Sequence, residues 1–352
     1  MINGNPLEDL TVVLVLKDRL EFTERWIEFN LVMKQDYKII VADGGFTPIR
    51  NKSFLESIKK LNAEYVYFGQ DHDLSVMTNK IHQALTKCKT KYVMLSSNDD
   101  FFLTKGLSNS IKFLEKNLDY ISCSGKIQNF SVLPYGKNGK NSIPYAGKIF
   151  FGDELYPGHG IHEELPIGRV REFLEQDESF WHSVFRTQNL EQCYELAKLQ
   201  GNEDFILYDL FVNMHLALQG KHGRLRDSYS MLHQVHDEME ARNLVPKNIQ
   251  SSNWWVKVES LISVALAAFG LSDNSNSLLN EFEKSQKLDL GSQVRRIKWP
   301  IRSVVQKIKY KYYKLSIMKV LDLLDPMTSS LVRDAEVRSV RKFVLKYEVK
   351  RI

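Results

Sequence analysis

Four short apolar runs, interleaved with segments of helical periodicity, constrain the first 120 residues of this 352-residue chain more than any other feature. Leu10–Leu16 (LTVVLVL) is an unbroken aliphatic and β-branched run, the pattern of a strand covered on both faces. Lys38–Ala42 (KIIVA), Glu64–Phe68 (EYVYF) and Lys91–Leu95 (KYVML) repeat it. Between the runs, Phe22, Trp26, Phe29 and Met33 recur at helical spacing, as do Leu74, Met77, Ile81, Leu85 and Cys88. Phe54–Leu61 reads as a short helix, and Leu107, Ile111, Leu114 and Leu118 trace another. Alternation of this kind, with short connections, builds right-handed βαβ units around a parallel sheet.

Parallel sheets bind ligands beyond the C-terminal ends of their strands, where loops converge. The residues expected there are polar: Lys17-Asp18-Arg19 after the first run, Asp43-Gly44-Gly45 after the second, Asp71 and Asp73 after the third, and Asn98-Asp99-Asp100 after the fourth. Further on the pattern loosens. Asn129–Pro166 is rich in Gly, Pro, Asn and Tyr and reads as loops with short strands. Phe180–Phe185 (FWHSVF) reads as a strand, Leu190–Leu199 and Phe205–Leu218 as helices, and Arg224–His233 as one more strand. After Pro246 the pattern is helical.

An apolar share of 43% and a charged share of 26% exclude a disordered, collagen-like or coiled-coil chain, and the length suits two domains. No apolar run reaches 18 residues. Leu261–Leu271 is too short to span a bilayer and reads as a buried helix. The N-terminal residues lack a basic-then-apolar signal pattern, and three scattered cysteines suggest neither a disulfide framework nor a metal-thiolate site. A cytoplasmic location is the expectation.

Several carboxylates bear on chemistry, and each has an ordinary alternative. Asp99 and Asp100 repel one another unless a divalent cation such as Mg²⁺ or Mn²⁺, completed by substrate phosphates, offsets the repulsion. The same residues would also serve as a turn and helix cap. Asp43 and Asp18 could accept hydrogen bonds from a base or ribose, or could simply shape turns. Asp71 and Asp73 could face the crevice, although Asp73 is equally placed to cap the helix from Leu74. Glu203 and Asp204 open an apolar helix, where the helix dipole favours acids; a general base is the functional alternative. The His159/His162 and His233/His236 pairs have metal-compatible spacing, and His233 is the better candidate because it ends a strand. No dinucleotide fingerprint, Walker A sequence or nucleophile elbow is present.

Taken in order, LTVVLVLKDR, KIIVADGG, KYVMLSSNDDFF, FWHSVFRTQNL and GNEDFILYDLFVNMHLALQGKHGRL resemble the successive motifs of bacterial GT-A glycosyltransferases, close to the family-2-like group, over residues 8–240. The resemblance implies an α/β GT-A fold, a Rossmann-like and mainly parallel sheet flanked by helices, over residues 1–245. A helical basic C-terminal region would fill 246–352. It implies an inverting sugar transfer from a nucleotide-sugar donor to a saccharide or lipid-linked acceptor, in bacterial surface polysaccharide synthesis. Asp18 and Asp43 would contact the nucleoside, with Lys17, Arg19, Asp71, Asn98 and Asp99 on the nucleotide side. Asp100, with Asp99, would hold a Mn²⁺– or Mg²⁺–diphosphate, and His233 would be a further metal ligand. Asp204, paired with Glu203, would be the base, and Trp181 and Arg186 would lie on the acceptor side. The family's first D-x-D carboxylate is an amide here, Asn98. An idle scaffold of the same fold and a nucleotidyltransferase are the alternatives.

Charge divides the chain. Residues 291–352 hold 16 Lys/Arg against 5 Asp/Glu, and the remainder holds 32 against 38. Arg295 to Lys319 carries nine basic residues and no acidic one. From Pro300, an apolar stripe of Ile301, Val304, Ile308, Tyr312 and Leu315 runs between the lysines. This pattern suits an anionic membrane surface, or a helix packed on the body with solvated lysines. Nucleic acid is not an expected partner, because no base-reading or stacking module is evident.

Overall fold

The computed structural model describes residues 4–132, 149–156, 158–176, 179–199, 204–234, 252–280 and 334–350. It divides into two compact units. The first comprises 1–129 and 153–279, and the second 130–152 and 280–352. Of the second unit's C-terminal segment, a helix over Ala335–Lys350 is described. The basic stretch 295–319, Glu203 and His236 lie outside the described residues.

The first unit is built on β1 (Leu10–Leu16), β2 (Lys38–Asp43), β3 (Glu64–Tyr67) and β4 (Tyr92–Ser96). β1 pairs in parallel with both β2 and β4, and β2 with β3. The helices between them are α1 (Leu20–Met33), α2 (Lys52–Lys60) and α3 (Leu74–Thr86). β1 and β4 are buried along almost their whole length, as expected of strands covered on both faces. Alternate residues Leu10, Val12, Leu14 and Leu16 join Trp26 and Ile27 of α1, Phe54 and Ile58 of α2, and Tyr92 and Met94 in one core.

The sheet continues through β5 (Asp100–Phe102), β6 (Tyr120–Val132), β7 (Ile149–Leu155), β8 (Gly160–Ile161), β9 (Val184–Arg186) and β10 (Lys221–Gln234), in the order β3-β2-β1-β4-β9-β6-β10-β5. β7 joins β6, and β8 joins β10. β9 is antiparallel to β4 and β6, and β10 is antiparallel to β5. A parallel half and a largely antiparallel half thus share one sheet, flanked by α4 (Thr104–Lys116), α5 (Pro166–Gln176), α6 (Thr187–Ala197) and α7 (Phe205–Gln219). This is the α/β architecture, a sheet flanked by helices, that the alternation predicts over the first four strands. The helix over Ser252–Ala267, α8, packs on α7 within the same unit.

The FWHSVF run differs from its sequence reading. Only the last two residues of FWHSVF, Val184 and Phe185, are strand. Phe180–Ser183 is a turn, closed by the Ser183 amide donating to the Phe180 carbonyl (3.1 Å) and held by the Phe180 amide donating to Asn213 Oδ1 (2.9 Å). The side-chain amide of α7 competes successfully with a ladder hydrogen bond here.

Candidate active site

The chain reverses at the C-terminal ends of β1, β2 and β4, and each reversal has a local cause. After β1, Asp18 and Arg19 both adopt left-handed backbone (φ 55° and 57°). Such conformations cost about 1–3 kcal/mol each outside glycine and concentrate at functional sites. The Asp18 carboxylate accepts from the Phe46 amide (3.0 Å), tying the β1 and β2 loops together. Arg19 then reaches across to Asp99 with two parallel hydrogen bonds of 2.9 Å, a bidentate ion pair spanning the β1 and β4 loops. The Arg19 side chain is 43% exposed and that of Asp99 12%, so the pair sits at the surface of the rim.

Asp43 ends β2 fully buried. One carboxylate oxygen accepts from the Gly45 amide (2.8 Å) and the other from Tyr65 Oη (2.6 Å). Asp71 lies beneath, paired with Lys80, whose ammonium also donates to the Leu16 carbonyl (2.8 Å). Burial pushes Asp71 above the usual carboxylate range and Lys80 below the usual lysine range, and their mutual attraction opposes both shifts. Gly44 is required here because a Cβ would collide with the Asp71 carboxylate. Asp71 therefore forms the floor of the rim instead of opening to it. Above this floor lies a cleft of about 330 Å³ lined by Asp18, Arg19, Asp43, Gly45, Arg50 and Asn51 among others. Lys17 is exposed beside it. Asp73 takes the capping role, accepting from the Val76 amide (2.8 Å) at the start of α3.

After β4 the three residues of NDD have three different duties. Asn98 is buried and donates to Thr23 Oγ1 (3.1 Å), fixing the loop to α1. Asp99 meets Arg19, as above. Asp100 opens β5 with no exposed surface, one oxygen accepting from the Ser97 amide (2.8 Å) and hydroxyl (2.9 Å). Its cross-strand partner on β10 is His233. Directly opposed residues of an antiparallel pair project to the same face, and here Asp100 Oδ1 and His233 Nδ1 are 2.8 Å apart.

His182 completes the group and was not singled out by the sequence reading. Because β9 runs antiparallel to β4, with Arg186 opposite Tyr92, the residues before β9 lie beside the C-terminal end of β4. The Phe180–Ser183 turn then delivers His182 to Asp100, with Nδ1 3.7 Å from Oδ2. Single ligand atoms of Asp100, His182 and His233 all lie within 4.8 Å of one another. Burial drives His182 down to about 4, so its imidazole is neutral at neutral pH. Burial also opposes charge on His233, but the Asp100 hydrogen bond and charge more than offset this and raise it. Burial disfavours the Asp100 carboxylate, yet the two histidines and the Ser97 amide together hold it below the usual range. One hard oxygen and two imidazole nitrogens suit a divalent ion, and the buried His182 Nδ1 has no hydrogen-bond partner among the described residues.

The remaining sequence candidates separate. Asp204 caps α7, its Oδ1 accepting from the Leu207 amide (3.3 Å). Its end of α7 is the rim end: Tyr208, one turn on, bonds Tyr194 in the last turn of α6 (3.1 Å), whereas Gln219 at the far end bonds Asn189 near the start of α6, which follows the end of β9 remote from the rim. Trp181 is half-buried and lines a small cavity with Leu95, Tyr208 and Asp209. Arg186 is not brought to the rim. Its place opposite Tyr92 puts it four residues, about 13 Å, below the end of β4. Its guanidinium donates to the carbonyls of Leu114, Asn117 and Tyr120. The antiparallel return of β9, which brings His182 up, carries Arg186 down, so an acceptor contact does not follow from its position.

No family model and no curated protein matches the sequence. Among solved structures, that of S. aureus TarS 1-349 shares 13% identity at a TM-score of 0.45, over 78% of this chain and 71% of that one. The same fragment in complex with UDP-GlcNAc gives 13% and 0.46 over 78% and 72%, and in complex with UDP 12% and 0.41 over 80% and 91%. No described helix is long and apolar enough to cross a membrane.

Proposed function

We propose that this chain is a glycosyltransferase that moves a sugar from a nucleotide-sugar donor to a hydroxyl of a saccharide or lipid-linked acceptor, with inversion. The observation that carries the reading is the pairing of Asp100 with His233 at the rim of the parallel half-sheet, beside a cleft lined by Asp18, Arg19, Asp43 and Arg50. That combination offers cations and a metal-ligating pair to a diphosphate, next to carboxylates able to accept from a nucleoside.

In this reading Asp18 and Asp43 face the nucleoside, and Lys17 and Arg19 the diphosphate. Asp100 and His233 would hold Mn²⁺ or Mg²⁺, which when bound neutralises charge on the departing nucleotide. Asp204 stands as general base. It takes the proton of the acceptor hydroxyl as that oxygen bonds the anomeric carbon and the bond from that carbon to the phosphate oxygen breaks. Trp181 supplies an apolar face for the acceptor. The basic stretch 295–319 would set the protein on an anionic membrane surface, where lipid-linked acceptors of surface polysaccharide synthesis reside, on the cytoplasmic side.

Incubation with UDP-, GDP-, dTDP- and CMP-sugars in the presence of Mn²⁺, reading released nucleotide and the anomeric configuration of the product, tests the proposal. Release from one donor class with inversion is expected. Absence of release from all four overturns it. The Asn98 amide, engaged by Thr23, favours a second reading as an idle scaffold of the same fold, which would give no release and no metal-dependent nucleotide binding.

A further inference from the structure

His182 presents a feature that the pairing of Asp100 with His233 does not explain. Its side chain is 8% exposed, yet Nδ1 has no hydrogen-bond partner among the described residues. A buried polar atom left unmet in this way is destabilising unless a group from outside the chain meets it. The 3.7 Å to Asp100 Oδ2 is too long for a hydrogen bond. The rim also lacks a donor where the first carboxylate of a D-x-D would stand, because Asn98 is turned toward Thr23. On the third side of the group, the His233 side chain is 24% exposed, so the cluster opens toward solvent there and is closed elsewhere.

We infer that His182 is a third protein ligand, and that Asp100, His182 and His233 hold a divalent cation in the protein before any nucleotide arrives, selecting Mn²⁺ over Mg²⁺. This rests on the metal reading under the proposed function and adds two things to it. Three protein donors with open positions are the ligand count of sites that retain an ion between turnovers. Mg²⁺ is held by carboxylates and phosphates and keeps its waters, whereas two imidazole nitrogens favour ions later in the transition series. The cation would thus be resident instead of entering with the diphosphate, its open positions left for the phosphate oxygens.

The test is Mn²⁺ binding by the full chain, stripped with chelator and free of nucleotide, followed by the electron paramagnetic resonance signal of free Mn²⁺. One tightly bound Mn²⁺ per chain is expected, with Mg²⁺ competing only in large excess. His182→Gln should weaken binding by more than the roughly 10–100-fold that loss of an outer-shell partner costs. Spin-echo modulation should show two nitrogen nuclei coupled to bound Mn²⁺ in the unmodified protein and one in the variant. If the variant fails to fold, the nitrogen count in the unmodified protein decides alone. Binding that requires UDP, GDP, CMP or dTDP, a single coupled nitrogen, or unchanged affinity in a folded His182→Gln protein overturns the inference and leaves the proposed function standing. Absence of Mn²⁺ binding with and without every nucleotide overturns the inference and the metal reading together.

Discussion

Asp100 and His233 oppose one another across the β5–β10 pair, and their side chains meet at 2.8 Å although 132 residues separate them in the chain. The contact joins the parallel half of the sheet, through the loop after β4, to its antiparallel half. Asp100→Asn keeps the shape but removes the anionic donor. It is expected to abolish Mn²⁺ binding while leaving the secondary structure intact by circular dichroism. Retained Mn²⁺ affinity in that variant would place the metal elsewhere.

Asp204→Asn separates chemistry from structure, because asparagine caps a helix about as well as aspartate. Melting temperature and nucleotide affinity should be unchanged. The transfer rate should fall by about 10²–10⁴-fold, the range attributed to a positioned general base. A rate within a few-fold of the unmodified protein would assign the base to another residue.

The Asp71–Lys80 pair under Gly44 is almost inaccessible, with side-chain exposures of 3% and 1%. Removing one partner leaves an uncompensated buried charge, at a cost of about 3–5 kcal/mol. Asp71→Asn is expected to destabilise the first unit by that order in urea unfolding. Asp71→Leu combined with Lys80→Met should recover much of the loss. Gly44→Ala should also destabilise, since its methyl would displace the Asp71 carboxylate. Equal stability of Asp71→Asn and the unmodified protein would contradict the pairing.

His215 on α7 lies between Phe211 and Phe269, and burial lowers its pKa to about 4. Its unfolded value is near 6.5, so between pH 6.5 and 4 the unfolded chain binds the proton and the folded one does not. Stability therefore falls as pH is lowered through that window, and this group contributes up to about 3 kcal/mol of the loss. His222, fully buried and lowered in the same sense, adds to it. Urea unfolding at several pH values should show His215→Gln with a shallower acid slope than the unmodified protein. An identical slope would exclude His215 as a contributor.

How much of this was legible in the sequence follows from how local each signal is. β1, β2 and β4 announce themselves because burial on both faces demands unbroken apolar runs. Asp100 and His233 were readable as candidates because each stands at a strand end. His182 was not, because a turn held by Asn213, 31 residues away, replaces the strand that FWHSVF suggests. β5 is only three residues long and leaves no periodicity to read. Asp71 read as a crevice residue because nothing local reveals that Lys80, on the next helix, turns inward to meet it. Arg186 read as an acceptor contact because the direction of β9 relative to β4 is set by pairing, which spacing does not encode.

The most direct measurement of the central claim is calorimetric titration of UDP, GDP, CMP and dTDP into the full chain, with Mn²⁺ and then with chelator. The account predicts that at least one nucleotide binds, that chelator weakens it markedly, and that Asp100→Asn reproduces the effect of chelator. Nucleotide affinity that ignores both Mn²⁺ and Asp100, or the absence of binding by all four, would contradict it.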